Sequence, residues 1–467
     1  AMKDGKEVGT YTVDETTGKV TFTPNKDFTG TAETIVLQVI EKATGKAIAG
    51  LKYTPTVTPV TPTGEDVSTT GKQGKVQTGT PKFTEGDAEV PLKVDADQPA
   101  KFVVNGTAVE ETTIDAIKDG AKVGTYAINP LTGEVTFTPN KDFVGTPEAV
   151  TVQVKDENGT TATAKYTPTV TAVTPTGEDA TSTGKQGKVQ TGTPKFTEGD
   201  AEVPLKLDAD QPAKFVMNGT AVDDTTVDAT KDGAKVGTYA INPLTGEVTF
   251  TPNKDFVGTP DAATVQVKDE NGTTATAKYT PTVTAVTPTG EDVTSTGKQG
   301  KVQTGTPKFT EGDAEVPLKV DADQPAKFVV NGTAVEDTTI DAMKDGEKVG
   351  TYEINPLTGE VTFTPNKDFV GTPDAATVQV KDENGTAATG KYTPTVTAVT
   401  PTGEDATSTD IQGKTQTAKP TFTEGDAEVP LDDSVPATFE DGTTEKVIAG
   451  VGTFTVAADG TITFVPE

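Results

Sequence analysis

Gly124-Thr125-Tyr126-Ala127-Ile128-Asn129-Pro130-Leu131-Thr132-Gly133-Glu134-Val135-Thr136-Phe137-Thr138-Pro139 is the stretch on which the fold turns. Tyr126 and Ile128, then Val135 and Phe137, alternate with small or polar residues, which is the period of a half-buried strand. Asn129 to Gly133 is a turn-forming cluster, so 123–139 reads as a β-hairpin. Val150, Val152 and Val154 make a second stripe. Asn158-Gly159 supplies a two-residue turn of positive φ, and Ala162, Ala164 and Tyr166 resume the alternation. Phe83, Val90, Leu92, Phe102 and Val104 mark further strands, with threonine at the outward positions. No segment reads as an amphipathic helix; Thr113–Lys118 has room for one helical turn.

The pattern recurs. Gly-Thr-Pro-Lys-Phe-Thr-Glu-Gly-Asp-Ala-Glu-Val-Pro-Leu begins at Gly79, Gly192 and Gly305, a step of 113 residues each time. Such a period holds a whole domain and not a solenoid turn. Units are expected at 61–173, 174–286 and 287–399, with a partial repeat at 1–60 and a partial, divergent one at 400–467. Their junctions read as Val170 to Asp179 does, rich in Pro, Gly and small polar residues. The first residues align with Ala342-Met343-Lys344-Asp345-Gly346, in mid-repeat, and the last follow a strand-like Thr461-Ile462-Thr463-Phe464. A segment of a longer protein is the expectation. Six or more strands per unit predict an all-β chain, a tandem array of immunoglobulin-like β-sandwich domains forming an elongated rod. The immunoglobulin Cys–Trp–Cys signature is missing, since Cys and Trp are both absent. A hydrophobic content of 32% favours disorder. The fixed phase of aromatics, stripes and turns outweighs it.

Formal charge is −30, and all 40 basic residues are lysine. That charge repels nucleic acid and anionic lipid. No apolar run approaches the roughly 18 residues of a membrane span. With neither His nor Cys, the commonest general base, thiol nucleophile and transition-metal ligands are missing. Ser68, Ser182, Ser295 and Ser408 lack a nucleophile-elbow setting. The chain is read as no enzyme, with no catalytic, cofactor-binding or metal residue assigned and the ligand-binding residues unknown.

Other motifs have ready structural explanations. Asp156-Glu157-Asn158-Gly159, with copies at Asp269 and Asp382, superficially resembles a calcium loop but fails the EF-hand spacing, so a hairpin turn with solvated charges is favoured. Junction acids Glu178 and Asp179 raise the same question. No cofactor is expected, and calcium between units stays open. Asn105, Asn158, Asn218, Asn271, Asn331 and Asn384 each begin Asn-Gly-Thr, which is both a glycosylation sequon and a turn. Pro130-Leu131-Thr132-Gly133 is turn chemistry and not a sortase signal. Lys141 beside Asp142 does not identify an internal Lys–Asn or Thr–Gln cross-link.

Gly124-Thr125-Tyr126, Leu131 to Pro139, Lys141-Asp142-Phe143-Val144-Gly145-Thr146, and Val152 to Thr160 ending in Tyr166-Thr167-Pro168-Thr169-Val170 together resemble the CshA-type fibril repeats of streptococcal and related Gram-positive surface proteins. The resemblance spans essentially the whole chain. The final unit departs from it, with Phe454 for the usual tyrosine and a hairpin turn shortened to Ala457-Ala458-Asp459-Gly460. The family implies an extracellular, cell-wall-anchored fibrillar adhesin of the bacterial surface. Its repeats act as a stalk, and host or bacterial ligands bind through regions outside this segment. A monomeric rod, without nucleic acid or membrane insertion, is the corresponding expectation. The alternative is multivalent adhesive repeats, each binding a host matrix protein or glycan weakly.

Overall fold

The computed structural model describes all 467 residues and contains strands and turns but no helix. In the first complete unit the strands are β1 (Thr63–Glu65), β2 (Val67–Lys72), β3 (Gln77–Gly79), β4 (Lys82–Thr84), β5 (Leu92–Lys93), β6 (Lys101–Val104), β7 (Thr107–Ala108), β8 (Thr113–Lys118), β9 (Ala121–Ile128), β10 (Val135–Pro139), β11 (Val150–Asp156) and β12 (Thr161–Thr171). One sheet runs β2-β12-β11-β6-β7, with β5 also on β11. The other runs β3-β10-β9-β8, and β1 pairs with β4. All these pairs are antiparallel except β2 with β12, which lie parallel over six residue pairs from Val67↔Tyr166 to Lys72↔Thr171. The second and third units repeat this arrangement, pairing Ala180–Lys185 with 279–284 and Val293–Lys298 with 392–397.

The expected hairpin is β9–β10, in register from Gly124↔Pro139 to Ile128↔Val135. Thr113–Lys118 departs from expectation: it is strand β8 and not a helical turn. The reason is alternation, because Ala116 turns fully inward while its neighbours pair with β9 across a bulge at Ala116/Ile117. Val90 makes only an isolated bridge to Asp87, and Val104 at the end of β6 is exposed.

Between the two sheets Phe102, Val135, Phe137, Val152 and Tyr166 are completely enclosed. The Tyr126 ring lies 5.2 Å from that of Phe137 and meets Tyr166 edge-on at 6.3 Å, and both later units repeat this triad. Both hydroxyls have partners, as buried tyrosines require. Tyr126 donates to the Glu148 carbonyl at 2.8 Å. Thr69 donates its one proton to Gln77 Oε1 at 2.7 Å, so Tyr166 is the donor in its 2.8 Å bond to Thr69. Burial, before any other cause, raises both tyrosine pKa values. Gly79 is glycine because a Cβ there would sit 2.3 Å from the Tyr166 ring.

The three clusters share no residue, so each unit carries its own core. The accessible surface is 26902 Å², against about 16,500 Å² for a compact monomer of this mass. The excess is that of separate units in series, together with the partial units at both ends. Replacing Phe250 by Ala removes a fully buried ring from the second core and is expected to cost about 3–5 kcal/mol. Hydrogen exchange is expected to localise the loss to the second unit, with Phe137 and Phe363 still protected by their own cores.

Candidate functional site: the junction between units

The most elaborate polar constellation lies where one unit meets the next. At the end of β2, Gly71-Lys72-Gln73-Gly74-Lys75 turns toward β3. Buried Gln73 uses every polar group it has. Its N–H donates to Thr171 O (2.9 Å), its Nε2 to Lys141 O (3.0 Å), and its Oε1 accepts Val173 N–H (3.2 Å). Its carbonyl accepts Asn271 Nδ2 of the following unit at 2.7 Å. Lys75 meets Glu270 at 2.6 Å, Lys141 donates to the Glu270 carbonyl at 3.2 Å, and Lys72 pairs with Asp200 at 3.1 Å.

The next junction is built identically. Asn384 donates to Gln186 O at 2.7 Å, Lys188 pairs with Glu383 at 2.6 Å, and Lys185 pairs with Asp313 at 3.1 Å. Val203 and Val316 are wholly enclosed at these two junctions, whereas Val90 and Val429 at the outer two are half-buried. The ion pairs are half-exposed, so each contributes only up to about 1 kcal/mol. Strength comes from combining them with the enclosed valine and the directional amide bond.

Asp269 presents the docking turn. Its Oδ1 accepts the N–H groups of Asn271 (2.9 Å) and Thr273 (2.8 Å). Asp156 and Asp382 do the same in their units. This corrects the expectation of solvated charges in that turn, for all three aspartates are completely buried and their Oδ2 atoms have no hydrogen-bond partner. The cause is strand phase: Asp156 continues the inward series Val150, Val152, Val154. No three acidic side chains converge on one point as calcium would need. Around the turn, Glu270 faces a lysine instead.

Other sequence candidates fall elsewhere. Glu178 is exposed, while Asp179 accepts the Lys278 N–H at 2.7 Å within its own unit. Asn105, Asn218 and Asn331 occupy left-handed turn positions at φ of 53°, 51° and 50°. Ser182 and Ser295 match Thr69, not Ser68, and bond to Gln190 and Gln303. Lys141 reaches out of its unit to the Glu270 carbonyl. Pro99, Ala100, Val109, Ile128, Pro130 and Leu131 line an open cleft of about 260 Å³, which recurs at Pro325 to Leu357. Sequence reading missed Gln73 and Lys75. Their signal was the Gly-Lys-Gln-Gly-Lys string at 71, 184 and 297, which becomes Asp410-Ile411-Gln412-Gly413-Lys414 in the last unit.

The profile of the surface adhesin CshA repetitive domain matches residues 2–57, 59–170, 172–283, 285–396 and 398–467. The chain belongs to this family. It is an adhesin repeat region, and its family is one of surface proteins. No curated protein matches the chain. Among solved structures it is similar to mouse cadherin-23 EC22–24, at 12% identity and TM-score 0.28, over 73% of this chain and 100% of that one. The protocadherin gamma B4 extracellular domain aligns at 10% identity and TM-score 0.34, over 99% and 76%. The I9–I11 tandem of titin aligns at 11% and 0.25, over 73% and 99%.

Gly74, Gly187 and Gly300 have φ of +76°, +78° and +76°, so alanine strains all three alike. An added Cβ would meet Asn271 Oδ1 or Asn384 Oδ1 at 2.0 Å at the first two and nothing within 4 Å at the third. Gly74→Ala and Gly187→Ala are therefore expected to open their junctions, seen as lost inter-unit order in NMR dipolar couplings, and Gly300→Ala to leave inter-unit order unchanged.

Acid is expected to act in the same place. The Glu202 N–H first, then Lys72, holds Asp200 below the ordinary aspartate value of 3.8; Asp313 and Asp426 are lowered the same way. A depressed carboxylate stabilises above its unfolded pKa and loses that contribution as pH falls through the folded value. The couplings are expected to hold at pH 5–7 and to weaken as pH falls below about 3.8.

Proposed function

We propose that this chain is a stalk segment of a bacterial, cell-wall-anchored fibrillar surface protein, carrying an adhesive domain away from the cell. The observation that supports the reading is the repeated junction, in which Asn271 and Asn384 dock on Gln73 and Gln186 with the same bond length. A spacer benefits from identical, stiff joints, because each joint's bending multiplies along the array. The unit boundaries belong to this reading: drawn at 61–173, 174–286 and 287–399, they let Val173 and Val286, both enclosed, close their units. Strands like β12, 11 residues long, give each unit about 35–40 Å of reach. The −30 charge keeps neighbouring rods apart in solution, consistent with a monomer. No helix of the chain is long and apolar enough to cross a membrane.

In this reading each joint is held by its lysine ion pairs together with the enclosed valine and the Asn–Gln amide bond, and no residue is given an enzymatic role. The competing reading, weak ligand binding by every unit, has the recurrent cleft in its favour and the burial of the core aromatics against it.

Small-angle scattering tests the stalk. An elongated particle is expected, with a maximum dimension unchanged by a chelator or by added calcium. It is expected to shorten toward a bent ensemble near 1 M salt, where the screening length falls to about 3 Å. A compact particle overturns the reading, whereas one that lengthens with calcium keeps the stalk and assigns part of its stiffness to a bound cation.

A further inference from the structure

We infer that the parallel seam between β2 and β12 is a mechanical clamp, which makes each unit a load-bearing element; its biological use rests on the stalk reading. The argument is one of chain path. Strand β2 starts at the end of the unit facing its predecessor and runs toward its successor. Strand β12 runs the same way, and Thr171 leads directly through Val173 into the next unit. Tension along the array therefore pulls β2 one way and β12 the other, along their shared axis. Six register pairs lie across that motion. They are loaded together and cannot open one after another, as an antiparallel hairpin pulled from its open end does.

The seam is reinforced beyond its ladder. Asp66 Oδ1 accepts the Lys165 N–H at 2.7 Å at one end. Thr171 Oγ1 donates to Gly71 O at 3.0 Å at the other. Between them Gln77, from the opposite sheet, donates to Thr169 O at 3.1 Å while accepting from Thr69. Gly71 admits it, since a Cβ there would lie 2.7 Å from the Gln77 side chain. The second unit repeats these bonds through Asp179, Thr284 and Gln190, and the third through Asp292, Thr397 and Gln303.

Single-molecule pulling of the whole chain, end to end, tests the inference. Three unfolding events of similar high force are expected, each releasing about 360 Å, from roughly 113 extended residues less the folded length. Forced unfolding follows the unfolding barrier and not overall stability, so a seam change is expected to lower the force by about half or more. The triple variant Thr69→Pro, Ser182→Pro and Ser295→Pro breaks the seam in each complete unit, because these residues share the phase of Gln73, whose N–H donates to Thr171 O across the seam. The triple variant Val152→Ala, Val265→Ala and Val378→Ala weakens the cores to a stability matched by denaturant titration, and is expected to keep its force. Should the proline chain fail to fold, the unaltered seam is tested by direction. The chain has no cysteine, so Thr220→Cys and Ala234→Cys give handles on the edge hairpins of the second unit, where pulling peels strands apart at lower force. Equal forces for the proline and core variants, or for edge and end-to-end pulling, overturn the clamp. An elongated particle with a weak seam leaves the stalk standing without the clamp, whereas a compact particle in scattering removes the stalk.

Discussion

The parallel pairing of the first long strand with the last, Val67–Lys72 against Tyr166–Thr171, is the constraint from which the remaining architecture follows. It closes each sandwich between strands about 100 residues apart, and it fixes where the chain enters and leaves. Because both strands run the same way, the ends of a unit lie at opposite poles, and copies extend in series. The seam also sets the position of Gln73, one residue beyond β2, where its carbonyl is offered to the next unit.

Stability within a unit comes from few large groups. Disulfides are absent, so Tyr126, Phe137 and Tyr166 with the valine stripes of β11 carry the core. The tyrosine hydroxyls tie that core to the seam, since Tyr166 meets Thr69 and Thr69 meets Gln77. Packing and closure are thus one network and not two. The buried Asp156, Asp269 and Asp382 extend it to the opposite pole, where they hold the turn that docks on the preceding unit.

The strands were legible because their signal is local. Alternation at Tyr126, Ile128, Val135 and Phe137 needs only neighbours two residues apart, and the turn at Asn129–Gly133 announces itself by composition. Strand β8 was harder: Thr113–Lys118 is short and mixed, and pairing with β9 decides it. Asp156 was misjudged for a related reason. Its charge suggests solvent, but strand phase turns it inward, and two backbone N–H groups compensate one of its oxygens.

The sequence by itself determined the period of 113 residues, the all-β class and the inward aromatic stripes, because each is written in spacing along the chain. Only the tertiary structure decided which polar residues matter. Gln73 finds its partners 68, 100 and 198 residues away, and Lys75 meets Glu270 across a gap of 195. Hydrogen bonds and ion pairs act over a few ångströms, and no pattern along the chain reveals which distant groups folding will bring that close.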